Sequence, residues 1–283
     1  MPLSLLCGLI GGGIQRSLAP ALHEEEARHH GLRLHYQLID LDAAQGGAEA
    51  LPMLVAAARV MGFAGLNVTY PCKQSVIPLL DGLSDEARAI GAVNTVVRVD
   101  SRLVGHNTDA SGWSWGFRRA LPRADLSRVA VLGAGGAGAA CADAVMRLGA
   151  ARIVLVDQDA SRAAKLAQRL NAHFKGNRAS ASTDTVSALA GATGLIQATP
   201  VGMAQLPGLP LPEKLLRPDL WVSEIVYVPL ETPLLLAARR IGCATSDGGH
   251  MNVGQAIGAF RLFTGLEADA GRMDAHFRRL VSS

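Results

Sequence analysis

The sequence predicts an α/β protein built as two domains, the second of them Rossmann-like and doubly wound. Three observations carry this. The 283 residues, 49% of them hydrophobic, are enough for two ordinary cores. Apolar runs of strand length alternate with helical stretches along the chain, the pattern of βαβ units around parallel sheets. Thirty-one glycines and only 4% aromatics point to many tight turns and to a core filled by Ala, Val and Leu.

In chain order, the apolar run 5–10 reads as a buried strand, 20–30 as a helix with Pro20 in its first turn, and 34–39 as the next strand. Residues 51–61 read as a helix, 65–69 as extended and 74–80 as helical. The segments 93–99 and 102–106, separated by Asp100-Ser101, predict a hairpin. A helix over 112–120 and a linking stretch over 121–127 follow.

Residues 129–140 then run from a buried strand straight into a glycine loop and a helix over 139–148. Gly133, Gly135 and Gly138 fit the dinucleotide fingerprint, in which the first glycine allows the tight turn, the second lets a pyrophosphate approach the backbone, and the third lets helix pack on strand; Gly136 and Ala137 complete the loop. A second strand over 152–157 ends in Asp157, about 24 residues after Gly133 and close to the ~20 expected of the acid that binds the adenosine ribose of NAD. A carboxylate there repels the extra phosphate of NADP, and Asp159 adds to the repulsion with only Arg162 nearby to offset it. NAD is therefore expected in preference to NADP. Farther on, a strand from 194 ends in the turn containing Thr199 and Pro200, and 221–228 reads as a strand carrying Val226 and ending in Tyr227-Val-Pro229. Such strand ends are where the nicotinamide half would lie.

Composition excludes several classes. The formal charge of +3 is small for this length, and the basic residues are scattered singly or in pairs without interleaved aromatics, so nucleic acid is not an expected partner. Cys7, Cys72, Cys141 and Cys243 form no C-x-x-C pair, which argues against a zinc site or a redox dithiol and for reduced thiols. His23-Glu24 begins like a metalloprotease helix, but Ala27 stands where the second histidine is required, so no metal is expected. No segment reaches the ~18 uninterrupted apolar residues of a membrane helix, and a soluble, cytoplasmic protein is expected. The sequence is compatible with a homodimer.

Against this apolar background, three polar clusters stand out: Asn67-Val-Thr69-Tyr-Pro-Cys-Lys73, Ala92-Val-Asn94-Thr95 and Gly105-His-Asn-Thr-Asp109. Together they offer one amine, one carboxylate and several amides and hydroxyls, suited to gripping a small polyol.

These clusters, with Gly91 before the second, Gly133 to Gly138, Thr199-Pro-Val-Gly-Met203, Val226-Tyr227-x-Pro229 and Gly248-Gly249-x-Met251-x3-Gln255, resemble the shikimate dehydrogenase family over nearly the whole chain and in family order. The Asp157-Gln-Asp159 strand end resembles the NAD-using quinate/shikimate branch. The resemblance implies a substrate domain over 1–110 completed by helices over 252–283, with the NAD-binding domain inserted over 111–251. It also implies oxidation of a secondary alcohol with NAD, in which Lys73 and Asp109 contact the hydroxyl-bearing edge of a cyclic hydroxy acid, Lys73 as the base for the hydroxyl proton and Asp109 orienting Lys73 and binding a ring hydroxyl. Asn67, Thr69, Asn94 and Gln255 then bind its remaining groups, Tyr227 lies near its carboxylate, and Gly249 and Met251 join the cofactor side.

Two departures from the family pattern bear on substrate. The family's paired hydroxyls for the substrate carboxylate appear here as Ser17-Leu-Ala19, so Ser17 remains and the second hydroxyl is missing. A hydrogen bond to a charged group is worth roughly 1.5–3 kcal/mol, or about one to two decades of affinity. Gln197 and Glu224 replace Asn and Asp and read as minor. The expected function is an NAD-dependent dehydrogenase of shikimate or quinate. An aminoshikimate dehydrogenase and a non-catalytic NAD and metabolite sensor remain alternatives, the second disfavoured by the intact Lys73 and Asp109. A methylene-tetrahydrofolate dehydrogenase is opposed by Tyr227, Gln255 and the Asn-Thr-Asp motif.

Overall fold

The structure, a computed structural model, describes residues 4–282. The chain forms two compact units, Met1–Thr108 together with Gln255–Ser283, and Asp109–Gly254.

In the first unit, β1 (Ser4–Gly11), α1 (Ala19–His29), β2 (Arg33–Asp40), α2 (Leu51–Val60) and β3 (Gly65–Val68) follow one another as two parallel crossovers. Next come β4 (Gly82–Leu83), α3 (Asp85–Ile90), β5 (Thr95–Val99) and β6 (Arg102–His106). The sheet order is β2-β1-β3-β5-β6-β4. β5 and β6 form the expected hairpin, closed with Val99 opposite Arg102 and with Asp100 at φ 55°, a left-handed geometry that Asp tolerates. Alternation along β1 puts Ile10 on the side covered by Leu51 and Val55 of α2, while Cys7 and Leu9 join Ala27 of α1 on the other.

One expected helix does not form. Residues 74–80 are a run of turns with a single 3-10 turn at Ile77–Leu79. Pro78 has no N–H to continue a helical ladder, and its ring blocks the preceding turn. The short α3, by contrast, carries full end signals: the Ser84 hydroxyl accepts from Ala87 N–H, acids occupy the first turn, and Gly91 ends it at φ 70°.

The second unit contains α4 (Asp109–Ala120), β7 (Arg128–Leu132), α5 (Gly136–Arg147), β8 (Arg152–Val156), α6 (Ala160–His173) and β9 (Ala179–Ser182). It continues with α7 (Thr185–Leu189), β10 (Gly194–Gln197), β11 (Trp221–Glu224), α8 (Pro233–Ile241) and β12 (Thr245–Ser246). All pairings are parallel, in the order β12-β11-β10-β7-β8-β9. The order reverses between β7 and β10, so the crevice beyond their carboxyl ends is where such a sheet takes a ligand. α4 docks through Trp113, whose Nε1 donates to Ser223 Oγ at 3.0 Å, and through Phe117, which meets Trp221 edge-on at 4.9 Å. β11 is shorter than its apolar run suggests. The carboxylate of Glu224 accepts the N–H groups of Ile225 and Val226, and the backbone leaves the sheet there.

α9 (Gly248–Thr264) carries the chain from the second unit back to the first, and α10 (Ala270–Ser282) packs on α1. On the first unit's sheet, Gly65 of β3 lets the Phe263 ring of α9 lie directly on the strand, where any side chain would collide with it. Among the described residues no helix is long and apolar enough to cross a membrane.

Candidate active site

The three polar clusters of the sequence converge at the carboxyl end of β3 and the facing ends of β5 and β6. Asn67 and Thr95 are register partners across β3 and β5, and Thr95 is paired with His106 across β5 and β6. Asn67 Nδ2 donates to Thr95 Oγ1 at 3.0 Å and to the Asn94 carbonyl at 3.2 Å, while its Oδ1 accepts from the Tyr36 hydroxyl at 2.6 Å. Asn94 Nδ2 donates to Thr108 Oγ1 at 3.0 Å, and Asn94 Oδ1 accepts the Thr108 N–H at 2.8 Å. Asn107 Nδ2 donates to the Ala92 carbonyl at 2.9 Å. All are buried, where an unmade hydrogen bond costs about 1–3 kcal/mol, so the network fixes these segments against one another.

Both amide hydrogens of Asn67 are thus consumed within the fold. Its chemistry toward a ligand would pass through its oxygen or through the backbone it positions. Tyr36, which sets that oxygen, carries no sequence signal, because its partner lies 31 residues away along the chain.

Lys73 lies on the run of turns after β3, half-buried, and is not a surface helix lysine. Its carbonyl accepts the Val93 N–H at 2.7 Å, which ties the first polar cluster to the second. Thr69 donates its N–H to the Ile10 carbonyl at 2.9 Å, and its methyl rests on Gly11, where no side chain would fit. The Ser17 hydroxyl accepts the N–H of Ala19 at 3.3 Å, just where α1 begins without a side-chain cap. Gln255 sits one turn before Gly258 on α9, and Gly258 approaches the Thr108 side chain closely enough that a Cβ would lie 3.1 Å from it. His106 is half-buried, and burial lowers its pKa, so it stays neutral near neutral pH.

The second unit carries the glycine loop. Gly133 adopts φ +93°, and a Cβ there would lie 2.7 Å from the Ala198 carbonyl oxygen across the switch point. Gly138 packs α5 onto β7 so tightly that a Cβ would overlap the Gly133 carbonyl, whereas nothing stands within 4 Å of the position a Gly135 side chain would take. Tight turn, helix–strand contact and open approach fall on the glycines in the order the fingerprint requires. Gly136 and Ala137 open α5, whose unpaired N–H groups favour an anion such as a pyrophosphate. The residues present therefore fit a dinucleotide.

Asp157, at the end of β8, accepts the Ala134 N–H at 2.8 Å and the Asp159 N–H at 2.9 Å. Asp159 caps α6, taking the N–H groups of Ser161 and Arg162, and its bond from the Ser161 hydroxyl leads the causes that lower its pKa. The Arg162 guanidinium is shared between Asp157 at 3.6 Å and Asp159 at 3.7 Å.

On the other side of the switch point, buried Gln197 holds the Thr199-Pro200-Val201 turn through bonds from its amide to Thr199 Oγ1 and the Val201 carbonyl, both at 2.8 Å. Glu224 is 1% exposed, accepts from Ile225 N, Val226 N and the Thr232 hydroxyl, and is pushed up to about 7 by burial. Gly248, at the start of α9, packs against the Ile225 and Val226 carbonyls, with a Cβ 2.6 Å from the first. The Val226 peptide is therefore fixed on both sides, and half-exposed Tyr227 follows it. Gly249 lies buried in the next turn, and Met251 packs its sulfur 4.0 Å from the Cys141 thiol of α5. Gln197 and Glu224, which read as minor substitutions, are the residues that shape these two strand-end turns. Asp109 opens α4 and is 4% exposed.

Residues 9–96 match the family model described as the shikimate dehydrogenase substrate binding domain. The chain is 57% identical over 282 residues to a shikimate dehydrogenase (NADP(+)) of Streptomyces avermitilis, covering 99% of this chain and 97% of that one. It is 44% identical over 281 residues to a quinate/shikimate dehydrogenase (NAD(+)) of Corynebacterium glutamicum, covering 98% and 99%. The solved structure of a quinate dehydrogenase from Corynebacterium glutamicum in complex with NAD superposes with a TM-score of 0.90 at 43% identity, over 98% of this chain and 99% of that one.

Proposed function

Because this chain belongs to the shikimate dehydrogenase family, we propose that it interconverts shikimate, or quinate, and the corresponding 3-dehydro ketone, with NAD as the preferred cofactor. It is an oxidoreductase acting on CH–OH, as its named relatives are. The observation that carries the narrower reading is the buried network from Asn67 through Asn94 to Thr108. That network holds the Thr108 backbone against Asn94, whose neighbour Val93 bonds the Lys73 carbonyl, so the polar segments of the first unit are rigidly joined.

In this reading Lys73 takes the proton of the reacting hydroxyl in oxidation and returns it in reduction. Asp109 orients Lys73 and accepts a ring hydroxyl. Thr69, Asn94 and Gln255 bind the remaining hydroxyls, Asn67 holds the segment in place, and Ser17 and Tyr227 serve the carboxylate. Gly133, Gly135, Gly136, Ala137 and Gly138 hold the pyrophosphate, Thr199, Pro200, Val226, Gly249 and Met251 border the nicotinamide, and the bound dinucleotide supplies the hydride acceptor. The first unit is the substrate domain and the second the cofactor domain.

Support for NAD over NADP comes from Asp157 and Asp159. They present two carboxylates where the adenosine ribose would lie, and Arg162 beside them is already shared by both. A ribose hydroxyl donates to such a carboxylate, whereas a phosphate is repelled by it. Initial rates with shikimate, quinate and aminoshikimate, each with NAD and NADP, test the reading as a whole. Turnover of shikimate or quinate with NAD is expected; no turnover with any of the six pairs would favour the sensor reading, and fastest turnover of aminoshikimate would reassign the substrate.

A further inference from the structure

The edge of the second unit's sheet opposite the glycine loop carries a concentration of positive charge. Arg128 and Arg152 are the first residues of β7 and β8 and face each other in register. Arg178 immediately precedes β9, and its carbonyl accepts the Ile153 N–H at 2.8 Å. Three guanidinium-bearing residues therefore stand side by side at the amino ends of three neighbouring strands. They line a cavity of about 240 Å³ together with Asn177 and Ser180.

Like charges directly opposite one another across a sheet destabilise it, and among the described residues no carboxylate offsets these. The arginine ion pairs of this unit use Arg147, Arg162, Arg217, Arg239 and Arg240. Among the described residues no carboxylate pairs with Arg128, Arg152 or Arg178, and no acidic side chain lines the cavity. Arg178 is nonetheless held in place, by a bond from Nη1 to the Ala150 carbonyl at 3.2 Å and by the Phe174 ring 5.5 Å beneath its guanidinium. Arg128 Nε is shielded from solvent and has no hydrogen-bond partner among the described residues.

We propose that Arg128, Arg152 and Arg178 form a second, non-catalytic binding site for a compact phosphate-bearing ligand. The guanidinium fork matches a phosphate bidentately, and three forks without a competing carboxylate select a multiply charged oxyanion. The cavity is smaller than the roughly 300–1,000 Å³ of sites for larger organic ligands. It suits inorganic phosphate or the phosphoryl group of a small metabolite, and it is too small for a dinucleotide. The glycine loop follows the carboxyl end of β7 while Arg128 opens that strand, so roughly 13 Å of strand separates this site from the proposed cofactor pyrophosphate.

Isothermal titration of the full chain with inorganic phosphate, at constant ionic strength and with or without saturating NAD, tests the proposal. One saturable site that persists in NAD is expected. Arg152→Ala and Arg178→Ala should each weaken it at least tenfold, and Arg152→Lys, which keeps the charge but loses the fork, should fall between. Because Arg152 is exposed, its variants should keep the wild-type kcat, which verifies that they fold. The absence of saturable phosphate binding, an affinity unchanged in Arg152→Ala, or complete displacement of phosphate by NAD would each overturn the assignment. Tight binding of heparin without a saturable phosphate site would overturn it in favour of a broad polyanion surface.

Discussion

Asp157 accepts the backbone N–H of Ala134 at 2.8 Å, so the carboxylate that closes β8 also braces the glycine loop that follows β7. The same side chain is proposed to receive the adenosine ribose, which makes loop geometry and cofactor choice depend on one group. Asp157→Asn keeps an acceptor for Ala134 and removes the charge. The ratio of kcat/KM for NAD over NADP should fall at least about tenfold, the equivalent of roughly 1.4 kcal/mol. Rates with both cofactors measure it, and an unchanged ratio would remove Asp157 from the choice between them.

Lys73→Ala should leave the fold and NAD affinity intact and lower kcat by about 10²- to 10⁴-fold, the usual range for losing a positioned acid or base. The structure gives a reason to expect an intact fold, since the residue's tie to the second polar cluster runs through its carbonyl, which alanine retains. Retained turnover would take Lys73 out of the base role. Circular dichroism and an NAD titration on the same sample separate a chemical loss from a folding loss.

Much of this was readable from residue types alone. The strand–loop–helix at Gly133 and the strand end at Asp157 declare themselves because the loop's backbone geometry favours glycine and because the apolar run of β8 stops at Val156. The hairpin at Asp100 is legible because two apolar runs are separated by the short polar turn Asp100-Ser101. What could not be read were partnerships between distant side chains. Tyr36 sits in an apolar strand until its hydroxyl meets Asn67, and Gln197 and Glu224 look like neutral exchanges until each is seen holding a turn through several backbone groups. The expected helix over 74–80 does not form because Pro78 cannot continue the helical ladder, leaving turns and one 3-10 turn.

Ala19→Ser restores the hydroxyl that the family pattern places two residues after Ser17. At present the Ser17 hydroxyl accepts the N–H of residue 19 itself, so the start of α1 offers one side-chain hydroxyl engaged with its own backbone. A second hydroxyl should lower KM for shikimate by about tenfold or more, with kcat little changed, as expected of a group that binds the carboxylate equally in ground and transition states. An unchanged KM would mean that the carboxylate is held elsewhere.

Two buried titratable groups should give the units opposite responses to pH. In the first unit His23 is fully buried, stacked on Tyr36 at 4.9 Å, with neither ring nitrogen hydrogen-bonded among the described residues, and burial lowers its pKa to about 3. The unfolded chain therefore binds a proton on this residue more readily than the folded one. The stability it allows is full above about 6.5 and is lost as pH falls from there toward 3. In the second unit burial raises Glu224 from 4.5 to about 7, so here the folded chain holds the proton more tightly. Its contribution is full below 4.5 and is lost as pH rises toward 7, by about 3 kcal/mol at 1.36 kcal/mol per pKa unit. In the wild type the two slopes partly cancel between 4.5 and 6.5, and single variants separate them. Glu224→Gln keeps an oxygen for Ile225 and Val226 and cannot ionise, so it should gain thermal stability relative to wild type at pH 8 and not at pH 5. His23→Phe should do the reverse, gaining at pH 5 more than at pH 8. Melting temperatures of the two variants and the wild type at both pH values decide the matter: a Glu224→Gln curve parallel to wild type would show that the carboxyl is not titrating in the fold, and a parallel His23→Phe curve would show the same of the imidazole.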